Sequence, residues 1–123
     1  MTWPFEADEP VMWVLGGPDG RTPIGEDDPF AWARWNHEHE AERTVGAIEL
    51  PGPVVVWTVF VGVSFAFGFF FETAVFDFTR CKNNGMPWVD IVERYRTWDE
   101  AAAGHARVVE QWQRRQRERE AIC

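Results

Sequence analysis

Cysteine is scarce in this sequence, which has only two in 123 residues. Cys81 and Cys123 do not form a Cys-x-x-Cys pair, and we predict that both are free thiols in a reducing cytoplasm. A secretory signal peptide is not expected, because residues 1–10 carry acids and prolines instead of a basic stretch followed by an apolar run.

Basic residues are few in the first part of the chain. Residues 1–50 hold 11 Asp and Glu against three Arg, whereas residues 51–123 hold nine acidic and nine basic residues. Because Lys and Arg supply most of the affinity for nucleic-acid phosphates, we expect no direct nucleic acid binding. The acidic half is either a solvated surface, a contact for a basic protein surface, or an imitation of nucleic-acid charge.

The length and the apolar content indicate a single domain, residues 1–123. A chain of this size can bury a core without disulfides or a structural metal. Apolar residues make up 46% and aromatic residues 15% of the sequence, with eight Trp and ten Phe. Such a composition excludes a disordered chain.

Residues 54–71 form a run of 18 residues without a charge. On length alone, such a run could cross a membrane as a helix. It is built from Val and Phe with almost no Leu, however, which favours strands. Gly62, Ser64 and Gly68 also interrupt it near its middle, where a hairpin would turn. We therefore predict a β-hairpin and keep a membrane-inserted protein spanning through residues 54–71 as an alternative.

Capping signals predict two helices. Asp28-Pro29 begins the first, which is expected to run to about Arg43. Thr97-Trp98-Asp99-Glu100 is a capping box that begins a long C-terminal helix ending near Glu120. The apolar stripe of this helix follows a spacing of three and four residues and consists of Trp98, Ala101, Ala102, His105, Val108, Val109 and Trp112. The polar end beyond it is expected to project into solvent or to meet a partner.

Turn signals separate the predicted strands. A short strand at residues 11–15 leads into a loop, residues 54–63 and 69–79 form the hairpin, and residues 88–95 follow the tight-turn signal Asn83-Asn84-Gly85. We predict an α+β fold, an antiparallel β-meander of three to four strands with two helices packed on one face. Its parts are an N-terminal extension (1–18), a loop and acidic helix (19–50), the meander (54–96) and the C-terminal helix (97–120).

Three motifs stand in a particular order along the chain. They read V-W-T-V-F-V-G at residues 56–62, F-E-T-A-V-F at 71–76 and Y-R-T-W-D-E-A-A-A-G-H at 95–105. Together they resemble a widespread family of small tailed-bacteriophage proteins of unknown function, over roughly residues 19–112. The resemblance implies a phage or prophage origin and a role in the host cytoplasm, but no activity. Where the family usually has Asp-His after the first strand, this chain has Ser64-Phe65.

A candidate pocket lies between the predicted sheet and the last helix. His105 is on the apolar stripe of that helix, and Glu72 with Thr73 follows three consecutive Phe. A buried Glu72–His105 pair could do acid–base work, because burial and pairing shift both pKa values, but we favour a structural hydrogen bond as the interpretation. Trp98 completes this candidate site for a small ligand or nucleotide. We assign no catalytic residue.

No metal or cofactor is predicted. His37-Glu38-His39-Glu40 resembles a metal cluster, but residues two apart on a helix point to opposite sides. Cys81, beside Arg80 and Lys82, is interpreted as a spectator thiol.

The aromatic and Arg residues suggest a protein interface. Trp and Arg are over-represented where proteins meet, and the candidates here are Trp32, Trp35, Trp112, Arg114 and Arg115. We predict a non-enzymatic bacteriophage accessory protein that binds a host or phage protein, to modulate host physiology or defence. A small-ligand or nucleotide-sequestering protein is the alternative. An exposed strand edge would also allow a homo-oligomer.

Overall fold

A computed structural model describes residues 12–63, 68–78 and 87–118. These residues form two antiparallel sheets and three helices, which confirms the α+β class. The elements are, in chain order, β1 (Met12–Gly16), β2 (Thr22–Glu26), α1 (Pro29–Glu38), α2 (Glu40–Arg43), β3 (Thr44–Leu50), β4 (Val54–Phe60), β5 (Phe71–Asp77), β6 (Trp88–Tyr95) and α3 (Trp98–Glu118).

The first two strands form a hairpin, in which β1 pairs antiparallel with β2. The turn between them is closed by Asp19, whose Oδ1 accepts the backbone N–H of Arg21 at 2.9 Å. Only a loop was predicted after the first strand, from the turn cluster at residues 16–20, so β2 is a correction. Pro23 lies within this strand. In a two-stranded sheet, however, a proline is tolerated on the edge. Residues 12–18 are therefore part of the fold instead of an extension.

The larger sheet has the strand order β3-β4-β5-β6, so each strand pairs antiparallel with the next one along the chain. This confirms the predicted meander and gives it a fourth strand. That strand, β3, corrects the prediction that residues 44–50 belong to a loop. The hairpin of β4 and β5 is in uninterrupted register from Val54↔Asp77 to Phe60↔Phe71.

The first predicted helix is broken in two. Its start is as expected, because Asp28 accepts the backbone N–H of Phe30 at 2.9 Å and Pro29 opens the first turn. The helix does not continue to Arg43, because α1 ends at Glu38 and His39 leaves helical geometry before α2 begins. Trp35 of α1 packs edge-on against Phe60 of the larger sheet, with ring centroids 5.9 Å apart.

The long C-terminal helix is confirmed as α3. Thr97 accepts the backbone N–H of Glu100 at 3.1 Å, while the Glu100 carboxylate accepts the backbone N–H of Arg96 at 3.4 Å. The predicted stripe is buried or half-buried except Ala102, which is exposed.

Two apolar clusters form the core under α3. One consists of Leu50, Val54, Val56, Val75, Val108 and Trp112. The other consists of Leu15, Phe60, Phe71, Tyr95 and Ala101. Along β4, Thr58 lies between the two clusters, and along β5 Thr73 does the same. A polar row therefore crosses the middle of the buried face.

Residues 54–60 are a strand, so the alternative of a membrane-spanning helix over residues 54–71 is wrong. Within the described ranges, no helix combines the length and the apolar character needed to cross a bilayer. Several predictions lie outside the described residues: both cysteines, the Asn83-Asn84-Gly85 turn and Ser64-Phe65.

Candidate functional site

A pair of fully buried threonines lies at the centre of the buried face. Thr58 of β4 and Thr73 of β5 are direct cross-strand partners, and both have 0% exposure. Their hydroxyl oxygens lie 2.6 Å apart. A buried hydroxyl is costly unless it is hydrogen-bonded, so each must find its further partners inside the fold.

Thr58 finds its second partner on α3. The Nδ1 atom of His105 lies 2.7 Å from the Thr58 hydroxyl oxygen. The ring sits against β3, because a Cβ atom built on Gly46 would come within 2.6 Å of its Cδ2 and Nε2 atoms. Position 46 thus admits only glycine while His105 keeps this place.

Thr73 is linked to Tyr95 at the end of β6. The Tyr95 hydroxyl lies 2.9 Å from Thr73 Oγ1 and donates to Glu93 Oε2 at 3.2 Å. Arg107 of α3 holds the Glu93 carboxylate from outside, with its Nη2 atom 2.7 Å and 2.8 Å from the two oxygens. The chain of hydrogen bonds therefore runs from a helix histidine through the three strands β4, β5 and β6 to a surface ion pair.

Each hydroxyl has one proton to donate, and this fixes which group is the donor in every hydrogen bond between His105 and Glu93. The Glu93 carboxylate, paired with Arg107, can only accept, so the single proton of Tyr95 goes to Glu93. Thr73 must then donate to Tyr95, Thr58 to Thr73, and His105 Nδ1–H to Thr58. This order assigns the neutral ring of His105 to the tautomer with its proton on Nδ1 and leaves Nε2 as an acceptor.

Burial shifts two groups of the chain in opposite directions. Burial lowers the pKa of the His105 imidazole, because it disfavours the charged ring. Burial also raises the pKa of the Tyr95 hydroxyl, and the bond from Thr73 acts against this rise. Both pKa shifts favour a neutral imidazole at His105 and a neutral phenol at Tyr95 near pH 7. The donor order described above has both groups in these neutral forms.

Glu72 is not part of this chain, and the predicted Glu72–His105 pair is wrong. Successive strand residues point to opposite faces of a sheet, so Glu72 lies on the face away from α3 while Thr73 lies beneath the helix. Glu72 instead meets Arg94 of β6, with Oε2 3.6 Å from Nε. The predicted pocket between Glu72 and His105 is therefore absent, since the sheet separates the two side chains.

Trp98 lies at the start of α3, apart from the hydrogen-bond chain. Its ring packs edge-on against Phe71 at 6.1 Å, and the Arg21 guanidinium lies 4.6 Å from its centroid. With Thr97, Asp99 and the β1–β2 turn it lines a shallow cavity of about 210 Å³. Of the four predicted pocket residues, only Thr73 and His105 come together, through Thr58.

The three tryptophans predicted as interface anchors make their contacts within the fold. Trp112 is buried in the core, so its assignment to an interface is wrong. Trp32 is half-buried and its Nε1–H reaches the carbonyls of Trp13 and Gly62, both at 3.1 Å. Trp35 is likewise half-buried, against Phe60.

The two predicted interface arginines are exposed on α3, as expected. Arg114 pairs with Glu110 at 3.2 Å, and the Arg115 guanidinium lies 5.1 Å from the centroid of the Trp112 ring.

The His37–Glu40 segment provides no grouped ligands. His39 Nδ1 lies 2.9 Å from the Trp35 carbonyl oxygen, and the two rings stack at 5.0 Å. In the part of the chain that the structure describes, no three His, Cys, Asp or Glu residues lie close enough to hold a metal ion.

The sheet has a second apolar face, which we call the outer face because it lies opposite α3. Strand pairing arranges it in two rows across the sheet. One row is Ala47, Trp57, Ala74 and Ile91, and the other is Val55, Phe76 and Val89. The rings of Trp57 and Phe76 lie 6.5 Å apart. Towards β6 the rows are open to solvent, with Ile91 46% and Val89 47% exposed.

Sequence reasoning did not identify Thr58, Tyr95, Glu93 or Arg107 as parts of the site. One signal was present, because Thr58 is the single hydroxyl in the apolar motif at residues 56–62, and Thr73 stands with Glu72 among the apolar residues of the motif at 71–76. Comparisons with protein-family models, with curated proteins and with solved structures found no match to this chain. The resemblance to a phage family stays a prediction.

Proposed function

We propose that this protein is a non-enzymatic bacteriophage accessory protein that binds a host or phage protein in the host cytoplasm, and that the outer face is its contact surface. The supporting observation is the two apolar rows of that face. In residues 12–63, 68–78 and 87–118, no helix packs over them, whereas α3 packs on the opposite face along all four strands.

The layout of the outer face favours a protein partner. Interfaces place aromatic and aliphatic residues in the centre and charged residues around them. Here Trp57 and Phe76 are central, Glu49 lies beyond Val55 on β3, and the Glu72–Arg94 pair lies at the other end. An exposed contiguous apolar surface of this kind is typical of an interaction site.

Site-specific crosslinking tests this proposal. A benzophenone amino acid placed at Ile91 should crosslink one discrete protein in lysate of the infected host, at a stoichiometry near one to one. The matched control is the same residue placed at Ile24, an isoleucine of β2 that is 44% exposed. It lies on the other sheet and should give no such product.

A substitution pair completes the test. Ile91→Asp should abolish capture of the crosslinked protein, while Ile24→Asp should leave it unchanged, with both variants folded by circular dichroism. Equal capture by the two variants, or equal crosslinking from both positions, would contradict the outer face as the contact surface. A crosslinked product of two copies of this chain would replace the foreign partner by a homo-oligomer.

A further inference from the structure

The last strand of the larger sheet, β6, lies at its edge. β6 pairs with β5 on one side, and no other strand in the described ranges pairs with its opposite side. The outward N–H and C=O groups of an edge strand are a template for a further strand. β6 is the longest strand of the molecule's described part, with eight residues.

The side chains of β6 are also unusual for an edge. Trp88, Val89, Ile91 and Val92 are all between 42% and 47% exposed. The other edge strand, β3, has a single large exposed apolar residue, Ile48. Natural edge strands commonly carry charges that discourage pairing. β6 carries Asp90, Glu93 and Arg94, but its four exposed apolar side chains favour contact with a partner at this edge.

A groove runs beside the second half of β6. It has a volume of about 490 Å³ and is lined by Phe69, Ile91, Val92, Glu93 and Arg94. Val92 is the extra residue of a β-bulge, because β5 pairs Thr73 with Glu93 and the next residue, Ala74, with Ile91. Apolar side chains of a neighbouring strand would fit over Ile91 and Val92 in this groove.

The charges at the groove favour an acidic group in the partner. Glu93 is neutralised by Arg107, and Glu72 lies against Arg94. Arg96 adds a further positive charge, and its guanidinium lies 4.6 Å from the centroid of Phe69, a residue of the groove wall. Within the described residues its side chain meets this ring and no carboxylate, so a carboxylate of the partner could pair with it.

We infer that the partner supplies an extended segment that adds to β6 as a fifth, antiparallel strand of the larger sheet. Its alternate aliphatic side chains lie over Ile91 and Val92, and a carboxylate near its N-terminus lies beside Arg96. The antiparallel direction follows from the rest of the sheet, in which every pair is antiparallel. This inference rests on the proposed function and adds the form in which the partner binds.

Two isomeric peptides provide the probe. Both are capped decapeptides of alternating valine and threonine with a single glutamate, and the second has the sequence of the first reversed, so that the glutamate is second in one and ninth in the other. The first should bind the full chain about threefold more tightly by fluorescence anisotropy, the effect of one exposed ion pair. Arg96→Gln should remove this preference, whereas Arg114→Gln, on the distant part of α3, should leave it intact.

Backbone pairing is tested separately. Methylation of alternate peptide nitrogens on the bonding edge should weaken binding more than about tenfold, because ladder hydrogen bonds are lost. In amide hydrogen exchange, the outward amides of β6 should become protected at every second residue when the unmethylated peptide is bound.

The outcomes separate the two proposals. If the Ile91 crosslink is found but β6 gains no protection and methylation has no effect, the outer face binds its partner without strand addition and this inference falls alone. If the Ile91 crosslink is missing as well, both the proposed function and the inferred strand addition are contradicted. Concentration-dependent dimers that protect β6 without peptide would overturn the inference in favour of a second copy of this chain.

Discussion

The face of the sheet under α3 and the outer face both carry apolar side chains, yet among the described residues only the first of them is covered by a helix. The covered face has a polar row at its centre, formed by Thr58 and Thr73, whereas the outer face has Trp57 and Phe76 there. Apolar content alone therefore does not decide which face of the sheet becomes the core. The covered face is the one whose hydroxyls find partners on α3 and β6, and these bonds fix how the helix sits.

The helix packs tightly on the covered face at Gly104. A Cβ at this position would fall on the ring of Tyr95. We expect Gly104→Val to lower the free energy of unfolding by about 3 kcal/mol, because overpacking would displace the ring from Thr73. Urea denaturation measures this. Ala103→Val, at the exposed neighbouring position, should cost only about 0.5 kcal/mol, and equal losses in the two variants would mean that the helix does not close on the sheet at this point.

The polar row is tested by removing one hydroxyl while keeping its shape. Thr58→Val leaves the hydroxyl of Thr73 and Nδ1 of His105 without their shared partner, and we expect a loss of about 2 kcal/mol in stability. Thr22→Val removes an exposed hydroxyl from β2 and should change stability by less than about 0.5 kcal/mol. Should Thr58→Val unfold at the wild-type urea concentration, the hydrogen-bond chain contributes nothing net to stability.

Neighbouring valines of β4 compare the two faces directly. Val56 is fully buried under α3, and Val55 is half-buried on the outer face. Val56→Ala should cost about 2 kcal/mol from lost transfer energy and the cavity left behind, and Val55→Ala about half of that. Binding of the proposed partner should show the reverse order, with Val55→Ala the more damaging. If the same variant were the more damaging one for both stability and binding, the distinction between a structural face and a binding face would not hold.

The smallest expected effect is a pH dependence from His105. Because its pKa is lowered in the folded state, the unfolded chain binds more protons once the pH falls below about 6.5, so stability is fully present above this pH and declines beneath it. The slope has a ceiling of about 1.4 kcal/mol per pH unit and is smaller for a partly exposed ring.

Urea titrations at pH 7.5 and 5.5 should show this loss in the wild type and a reduced loss in His105→Gln. His37 and His39 are common to both proteins and cancel in the comparison. An identical pH dependence in the two proteins would show that His105 is as accessible to protons as in the unfolded chain.

Much of the fold could be predicted from local patterns. The starts of α1 and α3 are predicted by local capping signals, Asp28-Pro29 and the Thr97–Glu100 box. The Val- and Phe-rich motifs favour strands. β3 could not be predicted in this way, because Gly46 argues against a strand. That glycine is needed by the ring of His105, which is 59 residues away along the chain and is brought to β3 by the fold.

The site was only partly predictable for a related reason. Thr73 and His105 were identified because each is polar in an apolar pattern. The pairing with Glu72 was wrong, since strand alternation puts Glu72 and Thr73 on opposite faces and only one of them can face α3. When both faces of a strand are apolar, as in β4 and β5, the sequence does not show which face the helix will cover. The link through Thr58 depends on that choice.

Gly46 and Gly104 each leave room for one aromatic ring of the same hydrogen-bond chain, His105 in the first case and Tyr95 in the second. In any sequence that shares this fold, a side chain at position 46 would demand a smaller residue at 105, and a side chain at 104 a smaller residue at 95. Both rings are bonded to a threonine, so their loss would also release Thr58 or Thr73 from the need for a hydroxyl. These six positions should therefore covary as one unit, in which a change at any member alters what the others can tolerate.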